Sequence, residues 1–108
     1  MTLLRKDQVT GGATFELACA RRYPAGHWSP DFLYLPDEPD GIGRLVPYLN
    51  PVLRPFAYDG PNRVTLEQWG RVRALAAEAP DLAPFFEAVE TWLHRENRNA
   101  PYFWILGI

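Results

Sequence analysis

The stretch NAPYFWILGI, Asn99 to Ile108, decides the fold. Pro101 prevents a helix from continuing, and the residues after it, Tyr102 to Ile108, are dense in aromatic and β-branched side chains that favour strands. An apolar side chain at nearly every position is typical of a strand that is buried on both faces. We therefore predict a terminal strand inside a sheet, with neighbours on both edges and helices over at least one face.

Two further strands are predicted upstream. TFELACA, Thr14 to Ala20, alternates in character, which places Phe15, Leu17 and Cys19 on one face and Glu16 on the other. FLYL, Phe32 to Leu35, is a short apolar run that ends at an acidic turn. A first strand around Leu3 to Val9 could form a hairpin with Thr14 to Ala20, because Gly11 and Gly12 mark a turn between them.

Two amphipathic helices follow. Thr65 and Gln68 have the spacing of a capping box, and the apolar residues after Thr65 share one helical face: Leu66, Trp69, Val72 and Ala76. Pro80 ends this helix, Asp81 is the predicted N-cap of the next, and Pro84 falls in its first turn, where proline is tolerated. The second helix carries a broad apolar stripe: Leu82, Phe85, Phe86, Val89, Trp92 and Leu93.

The segment from Ile42 to Tyr58 gives conflicting signals. Its first apolar residues have helical spacing, yet Pro47, Pro51 and Pro55 recur every four residues, and a helix interior tolerates proline badly. We expect one or two helical turns followed by an extended segment. The fold class predicted for residues 1–108 is a single α+β domain, a small and mostly antiparallel sheet covered by two helices.

Composition excludes several classes of protein. The 108 residues carry a formal net charge of −2 and a single cysteine, Cys19, which excludes an internal disulfide and fits a reducing compartment. The arginines are scattered and form no basic stripe, so we expect no nucleic-acid partner. No apolar run approaches the roughly 20 residues that span a bilayer, and the N-terminus does not resemble a signal peptide. A cytoplasmic location is expected.

Residues that could carry chemistry are few. Cys19 and His27 could form a thiol nucleophile with its base, but Cys19 has the parity of Phe15 and Leu17, which favours a buried and inert thiol. His27 and His94 are the only histidines, and neither has an acidic partner at metal-ligand spacing. We therefore expect no metal, no cofactor and no catalytic residues, and a protein that is not an enzyme.

The acids cluster in one place. PDEPDG, Pro36 to Gly41, supplies Asp37, Glu38 and Asp40, and the loop before it contains Asp31 and Trp28. We predict that these five residues contact a protein partner with a basic surface, because exposed aromatic side chains are enriched at interface hot spots and charges steer association. The alternative is a solvated turn beside a loop whose tryptophan packs on the protein's own core.

Four segments together resemble one type of small bacterial immunity protein from contact-dependent and polymorphic toxin systems: SPDFLYLPDE, TLEQW, WLHREN and PYFWILGI. Proteins of that type bind and block a toxin domain in the cytoplasm, and they need no active site. The resemblance implies the same function here, but it carries no binding residue across. A non-catalytic adaptor or subunit of another assembly is the alternative function. The oligomeric state stays open.

Overall fold

The computed structural model describes residues 1–9, 11–20, 29–97 and 100–107. Its strands are β1 (Thr14–Ala18), β2 (Leu33–Pro36), β3 (Asn62–Thr65) and β4 (Tyr102–Leu106). Its α-helices are α1 (Ile42–Leu53), α2 (Leu66–Leu75) and α3 (Ala83–Glu96). Short 3₁₀ turns cover Lys6–Gln8, Ala76–Glu78 and Pro80–Leu82. The architecture is α+β, as the sequence predicted.

The four strands form one antiparallel sheet in the order β2-β1-β4-β3. The terminal strand β4 therefore has a neighbour on each edge, which confirms the prediction made from NAPYFWILGI. Strand β3 was not predicted: it has only four residues and runs directly into the cap of α2. The predicted strands near residues 14 and 32 are present with slightly shifted ends.

One face of the sheet carries the core. Leu17 pairs with Ile105 across β1 and β4, so both side chains point to the same face as Phe103. The three α-helices pack on that face. The indole of Trp69 in α2 lies 5.3 Å from the Phe103 ring, and the indole of Trp92 in α3 lies 6.2 Å from it. These aromatic contacts fix both helices on the centre of the sheet.

The opposite face is also largely covered. Glu16 and Tyr34 stand opposite each other on β1 and β2 and are 5% and 0% exposed. On β4, Leu106 is buried, whereas Tyr102 and Trp104 are half-buried. The predicted burial of the terminal strand is thus complete on the helix side and partial on this side.

Helix α1 corrects the expectation for the proline-rich segment, because Pro47 and Pro51 lie inside twelve residues of helix. Both prolines are exposed. The carbonyls that lose a partner, those of Gly43 and Pro47, lie one turn earlier on the same exposed face, where water can replace the missing N–H. The other face buries four side chains: Ile42, Leu45, Leu49 and Val52. At roughly 1.5–3 kcal/mol each, that burial offsets a cost of about 3 kcal/mol per proline.

The capping box of α2 is confirmed: the amide of Gln68 donates to Thr65 Oγ1 over 3.0 Å, and Gln68 Oε1 accepts from the Thr65 amide over 2.9 Å. Leu66 departs from the predicted stripe, since it is 42% exposed. Asp81 is not the N-cap of α3, because a 3₁₀ turn precedes that helix. Asp81 instead pairs with Arg44 of α1 at 2.8 Å.

The predicted N-terminal hairpin is wrong. Leu4 forms a single bridge with Tyr34, through amide–carbonyl hydrogen bonds of 2.8 and 2.9 Å, at the edge of β2. A 3₁₀ turn at Lys6–Gln8 then takes the chain away from the sheet. Within the described ranges, none of the helices has the length and apolar character required to cross a bilayer.

Candidate functional site: an exposed acidic turn

The acidic turn, Pro36 to Gly41, connects β2 to α1, and its three carboxylates are exposed. The amides of Gly41 and Gly43 both donate to the carbonyl of Glu38, over 3.0 and 3.1 Å. A Cβ at Gly41 would lie 2.2 Å from the carbonyl oxygen of Pro36. Since that atom belongs to the backbone, the turn requires glycine at this position, and its path is fixed.

Asp37 is held from two directions. Its amide donates to the carbonyl of Ala13 over 3.0 Å, which ties the turn to the start of β1. Its carboxylate interacts with the hydroxyl of Tyr58, and this interaction, followed by burial, raises the pKa of Tyr58 above the ordinary tyrosine value. The ring of Tyr58 packs edge-on against Phe15, with centroids 5.1 Å apart. The position of Asp37 is therefore linked to the core.

Asp40 is held by the N-terminus. Its carbonyl accepts from the amide of Thr2 over 2.9 Å, and its carboxylate accepts from the Thr2 hydroxyl over 3.3 Å. The terminal ammonium of Met1 lies 3.7 Å from the same carboxylate, which stays 65% exposed. The three acids also precede the N-terminus of α1, where negative charge is favourable. They can therefore stabilise the helix as well as meet a partner.

The structure does not bring Asp31 together with the acidic turn. Asp31 precedes β2 and Asp37 follows it, so the four residues of the strand, at about 3.3 Å each, separate the two. The Asp31 carbonyl accepts from the Trp92 indole N–H over 2.8 Å. Asp31 lines a cavity of about 390 Å³ that Glu96 and Asn97 also line. The predicted five-residue surface is therefore divided between two places.

Trp28 and His27 lie outside the described residues. The predicted role of Trp28 at the interface stays a prediction, and so does the alternative that it caps the core. His94, the other histidine, is exposed on the last turn of α3. In the described part of the chain, no group of three or more histidine, cysteine, aspartate or glutamate side chains could hold a metal ion.

Cys19 follows β1 and packs against the core while remaining partly exposed to the Asp31 cavity. Burial, with a smaller contribution from the nearby Glu96 carboxylate, raises the pKa of the thiol to about 12. The thiol is therefore protonated at neutral pH. A protonated thiol is a weak nucleophile, because the thiolate is the reactive form.

Sequence reasoning missed the residues that hold the acidic turn, Tyr58 and Thr2. Both are remote from it along the chain, and neither belongs to a motif that signals the contact. It also missed the environment of Tyr34: burial, followed by the charge of Glu16, raises the Tyr34 pKa to about 12. The hydroxyl of Tyr34 donates to the carbonyl of Ser29 over 2.7 Å. The alternation of β1 did place Glu16 on this face.

No protein-family model, curated protein or solved structure matches the chain. These comparisons neither strengthen nor weaken the resemblance to immunity proteins. What the protein does has to be inferred from the geometry of its own residues.

Proposed function

We propose that this protein is an immunity protein, which binds a toxin domain with a basic surface in the cytoplasm and neutralises it without catalysis. The observation that carries the proposal is the acidic turn. Asp37, Glu38 and Asp40 project into solvent from one short segment; the Asp40 carboxylate accepts a hydrogen bond from Thr2, and the Asp37 carboxylate interacts with Tyr58. A fixed cluster of one charge sign suits recognition of a surface with the opposite sign.

Fixed geometry matters because association has an entropic cost. Ordering a mobile side chain at an interface costs about 0.5–1.5 kcal/mol. The carboxylate of Asp40 already has partners in the free protein, Thr2 and the terminal ammonium, so less of this cost arises there on binding. Exposed charges mainly accelerate association and add specificity, while buried anchors slow dissociation. The acidic turn would therefore act chiefly on the association rate.

The primary contact with the toxin is the acidic turn. Asp31 lies at the other end of β2 and would reach the partner only if the interface extended along that edge of the sheet. A standard interface buries about 800 Å² on each partner, an area large enough for such an extension. Asp31 and Trp28 are therefore secondary contacts in this proposal.

The test compares three forms of the protein as bait in a pull-down from the native cell. The first is the wild type, and the second carries Asp37→Lys, Glu38→Lys and Asp40→Lys. The third carries the same change in net charge at exposed acids elsewhere: Glu67, Glu78 and Glu87. Glu67 is in the first turn of α2, so replacing it with lysine places a positive charge near a helix N-terminus. Replacing Glu38 with lysine does the same near α1.

A partner that binds the wild type and the third form, but not the second, would be expressed alone and with the protein. The expected result is a partner that is toxic alone and harmless when co-expressed. A captured partner without toxicity would contradict the immunity function and favour the adaptor or subunit alternative. Equal capture by all three forms would remove the acidic turn from the interface.

A further inference from the structure

A groove of about 1010 Å³ lies between α2 and α3. One of its lining residues is Leu66, which directly follows β3. The acidic turn follows β2, at the opposite edge of the sheet. The groove is lined by apolar side chains and by polar groups of both helices, including Leu66, Trp69, Leu93, Asn97 and Pro101. It is therefore separate from the acidic turn, whereas Asn97 lines both this groove and the Asp31 cavity.

Leu66 marks the opening of this groove. The helical pattern predicts that Leu66 is buried with Trp69 and Val72, yet it is 42% exposed. Gly70, one turn further along α2, also lines the groove, and a Cβ there would meet no atom within 4 Å. The side of α2 that should pack on the core thus stays partly uncovered at the groove.

Two polar atoms indicate the ligand chemistry. Trp69 is 3% exposed and Asn97 is 7% exposed. Trp69 Nε1 and Asn97 Oδ1 are the buried side-chain nitrogen and oxygen atoms without a hydrogen-bond partner in the described part of the chain, and both residues line the groove. A buried polar group without a partner is destabilising. A ligand that supplies both partners would recover the lost free energy.

The unpartnered pair consists of one donor and one acceptor. Trp69 Nε1–H needs an acceptor such as a carbonyl, and Asn97 Oδ1 needs a donor such as an N–H. A peptide backbone presents both, and an apolar side chain between them would cover Leu66 and Leu93. Both atoms are buried in the free protein, so binding requires the two side chains to turn toward the groove, and side-chain rotamer changes on binding are common. The chemistry of the groove therefore matches a short peptide segment better than an ion or a hydrocarbon.

We infer that the groove between α2 and α3 binds an apolar side chain of a polypeptide partner together with its flanking main-chain amides. Trp69 donates to the peptide carbonyl, Asn97 accepts from the peptide N–H, and Leu66 contacts the side chain. The Arg73–Glu90 ion pair lies at the rim and connects the two helices across the groove. This inference does not depend on the proposed function, because it concerns a different surface.

The test uses the indole N–H resonances of the ¹⁵N-labelled protein. Trp92 and Trp104 are internal controls, because their indole nitrogens already donate to the carbonyls of Asp31 and Ala20, over 2.8 and 2.9 Å. The probe is the tripeptide amide acetyl-Ala-Leu-Ala-NH₂, and the control probe is acetyl-Ala-Gly-Ala-NH₂. The expected result is a saturable shift of the Trp69 resonance with the leucine probe, while those of Trp92 and Trp104 stay in place.

A matched pair of variants locates the site. Leu66 and Leu75 are both exposed leucines of α2, at 42% and 46%, but only Leu66 is among the residues that line the groove. Leu66→Ala should weaken probe binding several-fold, and Leu75→Ala should not change it. Gly70→Met should abolish binding by filling the opening. An unmoved Trp69 resonance, equal shifts with both probes, or unchanged binding in Gly70→Met would each overturn the inference.

Discussion

The hydroxyl of Tyr58 interacts with the carboxylate of Asp37, which raises the pKa of the phenol, while the Tyr58 ring packs edge-on against Phe15 in the core. One side chain thus connects the exposed acidic turn to the centre of the sheet. Tyr58 is 46% exposed, so the contact lies at the surface, where the turn could meet a partner. This contact predicts how the Tyr58 phenol titrates.

Asp37→Asn should lower the pKa of Tyr58 toward its ordinary value, because the interaction with a charged carboxylate stabilises the protonated phenol. A raised folded-state pKa contributes stability that is present below the ordinary tyrosine pKa and lost as pH rises through the raised value. The measurement is an NMR titration of the Tyr58 ring. Asp59→Asn, one residue from Tyr58, is the control and should leave the pKa where it is. No change in Asp37→Asn would show that the interaction does not form.

Removal of β4, from Tyr102 onward, should abolish cooperative unfolding. The strand pairs with both β1 and β3, so without it the sheet is divided. Phe103→Ala alone should cost about 3–5 kcal/mol, since its ring is fully buried between Trp69 and Trp92. Tyr102→Ala, at a half-buried position of the same strand, should cost less. Urea denaturation measures all three, and a cooperative transition in the truncated chain would contradict the prediction.

Asn62→Ala should destabilise the protein by about 1–3 kcal/mol. The Asn62 amide group donates to the carbonyls of Ala57 and Ile105, over 2.8 and 3.2 Å, and accepts from the Ala57 amide over 2.7 Å. Its removal leaves main-chain groups unpaired in a buried place. Asn50→Ala is the control: it removes a single bond, to the Phe56 amide, and should cost less. Equal losses in the two variants would contradict this account.

Pro47→Ala should stabilise the protein. A proline in a helix interior lowers the free energy of unfolding by about 3 kcal/mol. By restricting the unfolded chain, proline raises it by only about 1 kcal/mol or less. Pro47 is exposed within α1, so alanine meets no packing penalty. Pro84→Ala is the control and should gain little, because Pro84 stands in the first turn of α3, where it costs nothing. A lower midpoint of urea denaturation for Pro47→Ala would refute the explanation.

The thiol of Cys19 should react slowly with iodoacetamide in the native protein at pH 8 and rapidly after unfolding. Its folded pKa of about 12 lies above the ordinary value, so little thiolate is present. The raised pKa adds stability below the ordinary cysteine value, and this stability is lost as pH rises toward 12. Glu96→Gln should accelerate the native reaction modestly, by removing the smaller of the two causes. Equal native and unfolded rates would contradict the prediction.

Local features of the sequence determined several elements. The Thr65–Gln68 capping box forms as predicted because its partners are three residues apart and need only one helical turn to meet. The apolar stripe of α3 is buried as predicted, because exposing such a broad apolar surface to water is unfavourable. The terminal strand lies inside the sheet because almost every position from Tyr102 onward is apolar. The cluster of acids before α1 was equally visible in the chain.

Contacts between remote segments were decided only by the tertiary structure. Pro47 and Pro51 fit within α1 because their helix turns them toward water, which a local proline rule cannot anticipate. Leu66 is exposed at the groove between α2 and α3, although its own helical spacing predicts burial. Tyr58 lies close to Asp37 because its ring packs against the sheet. Asp31 lies away from Asp37 because β2 separates the two residues. Spacing along the chain determines what one helix or strand can do, whereas packing determines which surfaces remain open.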